Sequence, residues 1–198
     1  MARYNGINHL AMATHDMDMT LRFWRDLLGM RLVAGIGRPG YRHYFLEISK
    51  TDLIAFFEWP HVEKAALKDH GAPVKGPFVF DHLSIGVESA EDLIEIKDKL
   101  SAAEFWVSEI IDHGFIHSIY SFDPNNIPIE FSVNVPHVDI RRQPAMKDLH
   151  PSAVALEGAE PQPGHWPSPE AEAGSAPNHP IYPGEGSRIA EDFNADKG

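Results

Sequence analysis

The sequence contains no cysteine, and this absence excludes several kinds of site. Without thiols the chain forms no disulfide framework and offers neither a thiolate zinc site nor a cysteine nucleophile. Long apolar runs are missing as well: residues 1–6 lack the apolar stretch of a secretory signal, and no segment is long enough to cross a bilayer. These absences predict a cytoplasmic protein with no membrane partner.

Positive charge is also scarce. The 198-residue chain has 17 Lys and Arg against 29 Asp and Glu, which gives a formal net charge of -12. Nucleic acids bind basic surfaces, so we expect no nucleic-acid partner. Hydrophobic residues make up 43% of the chain and aromatic residues 10%, which is enough for a substantial core.

The most informative feature present is an internal repeat. Residues 7–12 read Ile-Asn-His-Leu-Ala-Met and residues 80–85 read Phe-Asp-His-Leu-Ser-Ile, so His9 and His82 occupy the same point of each copy. Each copy continues with an acidic cap, a helical pattern and three further short apolar runs. The repeat predicts an α+β domain over residues 1–135. It consists of two βαβββ modules, at residues 7–60 and 78–134.

The second copy carries clear local signals. Ser89 is predicted to cap a helix, and strands are predicted over residues 105–111 and 116–122. Residues 123–126, Asp-Pro-Asn-Asn, predict a tight turn because Asn tolerates the left-handed backbone region. Residues 61–77, with two Gly and two Pro, are expected to link the modules.

The composition changes after the second module. Ten of the 16 prolines lie between Pro136 and Pro183, mixed with Gly, Ser, Ala and Glu. No periodicity in this part of the chain supports a second core. Residues 136–198 are therefore predicted to form a Pro-rich extended arm, and functional residues are not expected there.

Three candidate metal ligands follow from the repeat. His9 and His82 are expected on equivalent central strands, where they converge near the pseudo-twofold axis that relates the modules. Glu130 lies inside another short apolar run, between Ile129 and Phe131. A carboxylate in such a run must be paired or metal-bound, because a buried isolated charge is costly. Two His and one carboxylate predict a metal centre with open coordination positions. The alternative is two core histidines and an exposed glutamate.

A family resemblance rests on the two modules and on residues 113–130, which read His-Gly-Phe-Ile-His-Ser-Ile-Tyr-Ser-Phe-Asp-Pro-Asn-Asn-Ile-Pro-Ile-Glu. The chain resembles the vicinal oxygen chelate superfamily, which contains glyoxalase I, extradiol dioxygenases, bleomycin and fosfomycin resistance proteins and methylmalonyl-CoA epimerase. The resemblance implies a cupped, mixed β-sheet barrel with flanking helices. It also makes His9, His82 and Glu130 the metal ligands, as in extradiol dioxygenases, which suits Fe(II) or Mn(II).

The resemblance also suggests residues for the chemistry. Tyr120 lies ten residues before Glu130, where dioxygenases place an active-site Tyr. The acid–base histidines of the dioxygenases are not matched, and His113 and His117 are the nearby candidates to replace them. These three residues are the expected catalytic groups.

The fourth metal ligand of glyoxalase I has no counterpart. Its position matches Ala55, and Glu58 is expected on the opposite strand face. The leading hypothesis is an Fe(II) or Mn(II) extradiol-type dioxygenase that acts on a catechol-like or other bidentate oxygen substrate. A glyoxalase-like lyase or epimerase with Ni, Zn or Co stays open, as does a non-catalytic small-molecule-binding protein of the resistance type. Because members of the superfamily often dimerise, the resemblance also implies a homodimer.

Overall fold

The first module forms a four-stranded sheet and one helical segment. The computed structural model describes residues 5–76, 80–145, 147–162, 164, 166, 180–184 and 186–190. Asp16 begins the helix, because its side chain accepts a 3.0 Å hydrogen bond from the backbone N–H of Met19. The elements are β1 (His9–Thr14), α1 (Met17–Leu21), which continues as a π-helix over Arg22–Leu27, β2 (Arg31–Arg38), β3 (Tyr41–Glu47) and β4 (Leu53–Glu58).

The second module repeats this order. Its elements are β5 (Leu83–Gly86), α2 (Ala90–Ala102), β6 (Ile111–Asp112), β7 (Ile116–Phe122) and β8 (Pro128–Asn134). At the start of α2, Ser89 Oγ accepts from the N–H of Asp92 and the Asp92 carboxylate accepts from the N–H of Ser89, at 3.1 and 3.0 Å. The predicted cap is therefore confirmed. The turn before β8 is confirmed too, since Asn126 has a φ of 62°.

The two sheets have the same topology. Their strand orders are β1-β4-β3-β2 and β5-β8-β7-β6. In each, the first strand is parallel to the last, and the other pairs are antiparallel. This confirms the predicted α+β fold of paired βαβββ modules. The expectation of central strands for the two histidines was wrong: within the described residues, β1 and β5 each pair with one strand and lie at a sheet edge.

One predicted strand, over residues 105–111, is mostly irregular. Its only ladder contacts in the described chain are an isolated bridge at Val107 and the two residues of β6. Side-chain hydroxyls take part in the pairing here: Ser108 Oγ accepts from the N–H of Tyr120 at 2.9 Å, and Ser121 Oγ donates to the carbonyl of Trp106 at 2.7 Å. Because these bonds replace backbone partners, a regular ladder does not form.

The modules are joined by buried polar contacts as well as by an apolar core. Asn125, in the β7–β8 turn, accepts a 2.8 Å bond from the hydroxyl of Thr14, at the end of β1. Trp24 Nε1 donates to Asp123 at 3.3 Å. Around these contacts one hydrophobic cluster draws on both modules, and its most buried side chains are Trp24, Leu46, Ile54, Phe56, Leu100, Ile119 and Ile129.

The chain divides into two compact units after Val138. In the second unit, Asp139–Gly198, the described part contains a short 3-10 helix at Ala155–Glu157, between turns and extended segments. The extended arm over residues 136–198 stays a prediction. No helix in the described residues is long and apolar enough to pass through a membrane.

Candidate metal centre

The second sheet brings two of the three predicted ligands together. Glu130 lies in β8 and is only 4% exposed, and His82 directly precedes the neighbouring strand β5. The Nε2 atom of His82 lies 3.0 Å from the Oε2 atom of Glu130. The repeat and the carboxylate inside an apolar run therefore identified two side chains that are in contact.

The donor set of this pair fits a divalent metal. Imidazole nitrogen and carboxylate oxygen are both ligands that divalent metals accept. In the structure the two side-chain atoms form a hydrogen-bonded ion pair, so a metal would find both donors at one place. The other ring nitrogen of His82, Nδ1, lies 2.7 Å from Asp81 Oδ1. With a metal on Nε2, which faces Glu130, the Nδ1–H would donate to Asp81 and the carboxylate would orient the ring.

Glu130 is also in the protonation state that a ligand needs. Burial acts to raise the pKa of its carboxyl, but neighbouring hydrogen-bonding groups, among them the His82 ring at 3.0 Å, outweigh burial. The net result is a pKa below the ordinary glutamate value. The side chain therefore remains an ionised carboxylate at neutral pH, although it is almost fully buried.

Tyr120 and His113 form a hydrogen-bonded pair beside this carboxylate. Tyr120 is the register partner of Glu130 on β7, and its hydroxyl lies 2.8 Å from Nε2 of His113. Burial, and then the negative charge of Glu130, raise the pKa of the Tyr120 phenol. The phenol thus keeps its proton at neutral pH and can donate a hydrogen bond, while His113 can exchange a proton with it.

Sequence reasoning missed His70, which the linker places against the same site. Its ring centroid lies 4.8 Å from that of Tyr120 and 5.7 Å from that of His82. Its Nε2 donates to the carbonyl of Ile129 at 3.0 Å. Burial lowers the pKa of His70, which favours the neutral ring. The linker has no periodicity, and the only available signal was a histidine next to a turn glycine, Gly71.

His9 lies elsewhere, on the edge strand of the first sheet. Its ring packs against Phe45, with centroids 5.5 Å apart, and its Nδ1 lies 2.9 Å from the side-chain oxygen of Asn8. The residue before each repeat histidine therefore contacts Nδ1 in both modules, Asn8 in one and Asp81 in the other. In the described part of the chain, no three His, Asp or Glu side chains are grouped as a metal site.

Two further candidates are not at this cluster. Strand alternation places His117 on the face of β7 opposite to Tyr120, where its Nε2 lies 3.5 Å from Asp112. Glu58 accepts a 2.8 Å bond from the N–H of Met17 and pairs with Arg42, so it caps α1. The strand register places Ala55 where the second sheet has Glu130.

Comparison with known families identifies the fold. Residues 6–131 match the model of the Glyoxalase/Bleomycin resistance protein/Dioxygenase superfamily. The chain belongs to this superfamily. The predicted family is thus confirmed, and the match spans both modules and the cluster around Glu130. None of the curated protein sequences compared with the chain matches it.

Solved structures of the superfamily share the fold at low sequence identity. A glyoxylase/bleomycin resistance protein/dioxygenase domain from Frankia sp. EAN1pec is 20% identical with a TM-score of 0.58, over 69% of this chain and 96% of that one. A glyoxalase/dioxygenase from Nostoc punctiforme is 13% identical with a TM-score of 0.53, over 66% and 91%. A lactoylglutathione lyase from Agrobacterium tumefaciens is 21% identical with a TM-score of 0.50, over 67% and 96%.

Proposed function

We propose that this superfamily member is a metal-dependent enzyme that acts on a small molecule, with an extradiol-type dioxygenase reaction on a catechol-like or other bidentate oxygen substrate. The observation that carries the proposal is the contact between His82 and Glu130, with the hydrogen-bonded Tyr120 and His113 beside it. A buried ionised carboxylate next to an imidazole nitrogen binds a divalent metal, and a phenol with its proton acts on a substrate oxygen.

Each residue of the site has its own role in the proposed reaction. A divalent metal held by His82 and Glu130 would polarise the substrate oxygens, and Fe(II) or Mn(II) would also let electrons pass from a catecholate substrate to dioxygen. Tyr120 donates a hydrogen bond to a substrate oxygen and stabilises the negative charge that develops there. The Nε2 atom of His113 lies 2.8 Å from the Tyr120 hydroxyl, so His113 accepts the proton of Tyr120 and can return it.

We propose that His9 completes the site in a homodimer, as a ligand from the second copy. Three observations support this. His9 shares with His82 the Nδ1 contact to the preceding side chain, which keeps Nε2 for a metal. It is exposed, and within the described residues it is not grouped with the other two predicted ligands as a metal site. The strand edges beside both histidines are unpaired within the described residues, and such edges suit a second copy.

Mixing two inactive variants tests the shared site. His9→Ala and His82→Ala each break every site of their own homodimer. If the site is shared, a hybrid dimer has one intact site of two, and random exchange restores about a quarter of the sites. Recovery of metal binding on mixing supports the proposal. No recovery in a mixture proven to contain hybrid dimers contradicts a shared site.

Metal analysis and oxygen uptake test the reaction. Protein purified anaerobically is analysed for metals and then assayed for oxygen consumption with a panel of catechols. Iron or manganese with oxygen uptake supports the dioxygenase. Nickel, zinc or cobalt without uptake contradicts it in favour of a lyase or epimerase, and protein that binds no metal under any of these conditions indicates a non-catalytic binding protein.

A further inference from the structure

The carboxylate of Asp81 contacts three groups: the His82 ring, the Gly71 backbone and the Lys68 side chain. Its Oδ1 accepts from Nδ1 of His82 at 2.7 Å and from the backbone N–H of Gly71 at 2.9 Å. Its Oδ2 accepts from the ammonium of Lys68 at 2.6 Å. The Lys68 side chain is only 16% exposed, whereas that of Asp81 is 38% exposed, so the ammonium is the more buried member of this ion pair. One carboxylate thus binds both a candidate metal ligand and the linker between the modules.

These contacts place the linker on the site. Lys68 and Gly71 flank His70, whose ring packs against Tyr120, Phe122 and His82 at centroid distances of 4.8, 5.0 and 5.7 Å. Lys68 also donates to the carbonyl of Asp69 at 2.9 Å, which shapes the linker before His70. The linker therefore forms one wall of the site, and Asp81 holds it there.

The first module shows what is particular to Asp81. Asn8 occupies the equivalent position and contacts Nδ1 of His9 through an amide oxygen, at 2.9 Å. An amide can orient a ring but cannot neutralise an ammonium group. The carboxylate in the second module therefore has a second task, which is to bind Lys68.

We propose that Asp81 is a positioning residue that orients His82 for metal binding and couples this ligand to the linker wall that carries His70. The inference rests on the proposed function for the role of the metal. The coupling itself depends only on the contacts of Asp81, which exist without a metal. A carboxylate behind a ligating histidine fixes the ring and its tautomer, and its loss typically weakens metal affinity 10- to 100-fold.

Three variants separate the contact of Asp81 with His82 from its contacts with the linker. Asp81→Ala removes all of these contacts. Asp81→Asn keeps an oxygen for Nδ1 of His82 but loses the charge that binds Lys68. Lys68→Met removes the linker ion pair, while Asp81 still contacts Nδ1 of His82 and the N–H of Gly71. Glu109→Gln is the matched control, because it breaks an exposed 2.6 Å pair with Lys97.

Three measurements follow: the Kd for Mn(II), the tautomer of the His82 ring by 15N NMR in metal-free protein, and amide hydrogen exchange over residues 67–72. For Asp81→Ala we expect at least a tenfold weaker Kd. We also expect the His82 ring to shift toward the form with its proton on Nε2 alone, facing Glu130, and exchange in the linker to become faster. Asp81→Asn and Lys68→Met should speed exchange in the linker, with the wild-type tautomer and a smaller change in Kd than Asp81→Ala. The control Glu109→Gln should leave the Kd for Mn(II), the His82 tautomer and the exchange of the linker at their wild-type values.

The results distinguish failure of this inference from failure of the proposed function. If wild-type protein binds Mn(II) and Asp81→Ala binds it equally well with an unchanged tautomer, Asp81 is not a positioning residue. If linker exchange in Asp81→Ala matches wild type, the coupling is wrong. If wild-type protein binds no divalent metal, the proposed function fails, and the tautomer and exchange measurements still decide whether Asp81 orients His82 and holds the linker.

Discussion

The Nε2 atom of His82 and the Oε2 atom of Glu130 lie 3.0 Å apart, one before the first strand of the second sheet and the other within its last strand. We predict that His82→Ala and Glu130→Gln abolish stoichiometric metal binding, because each removes a ligand atom. The fold should survive both changes, since Gln keeps the shape of the buried Glu130 and the His82 side chain is 29% exposed just before β5. Metal content and circular dichroism measure the two effects.

Glu58→Gln is the control for this prediction. Glu58 is also a strand carboxylate, but it caps α1 through the N–H of Met17 and pairs with Arg42. The amide keeps an oxygen for the Met17 N–H but loses the charge that pairs with Arg42, so the free energy of unfolding should fall by less than about 1 kcal/mol and metal content should stay unchanged. Metal retained by His82→Ala, or metal lost from Glu58→Gln, would show that the ligands have been assigned to the wrong residues.

Tyr120→Phe should reduce turnover without changing metal content. The substitution keeps the ring and its packing but removes the hydroxyl that contacts His113. Loss of a group that donates to the reacting oxygen typically lowers kcat about 100-fold or more. His117→Gln, on the other face of the same strand, should stay close to wild-type turnover. Equal losses in the two variants would contradict a specific role for the phenol.

The sequence pattern predicted those parts of the site that lie on repeated strands. His82 was marked by its repeat partner His9, and Glu130 by its apolar neighbours, because strand alternation constrains both. The contacts of Asp81 with Lys68 and Gly71 were not predicted, since they join an irregular linker to a strand end. No periodic pattern of residues in the sequence specifies a contact of this kind. The place of His9, away from the other two ligands of its chain, depends on sheet edges that no local pattern specifies.

Asn125 shows the same limit in the core, and it leads to a stability prediction. Its residue type predicted a turn, but its side chain also accepts from the Thr14 hydroxyl at 2.8 Å and donates to Asp123 at 3.0 Å. Asn125→Ala removes both bonds from this buried polar network, so the free energy of unfolding should fall by about 1–3 kcal/mol in urea denaturation. Asn134→Ala, at the exposed end of β8, should change it by less than about 0.5 kcal/mol.

Asp123 should contribute a pH dependence opposite in sign to that of most carboxylates in this fold. It is 2% exposed, and burial raises the pKa of its carboxyl despite hydrogen bonds from Asn125, Ile127 and Trp24. In the unfolded chain the same group titrates near its ordinary value of about 3.9. As the pH rises from that value to the raised pKa of the folded state, the unfolded state ionises first. The contribution of Asp123 to the free energy of unfolding therefore falls over this interval and is constant above it.

The measurement is a comparison of wild type with Asp123→Asn, which cannot ionise, in urea at a series of pH values. Carboxylates with lowered pKa values, such as Asp26 and Glu130, are present in both proteins and cancel in the difference. The advantage of wild type over Asp123→Asn should be largest at the acid end and should decrease as the pH rises. A 13C NMR titration of Asp123 gives its pKa directly. A difference that grows with pH, or a carboxyl that titrates below its ordinary value, would mean that hydrogen bonding outweighs burial at this residue.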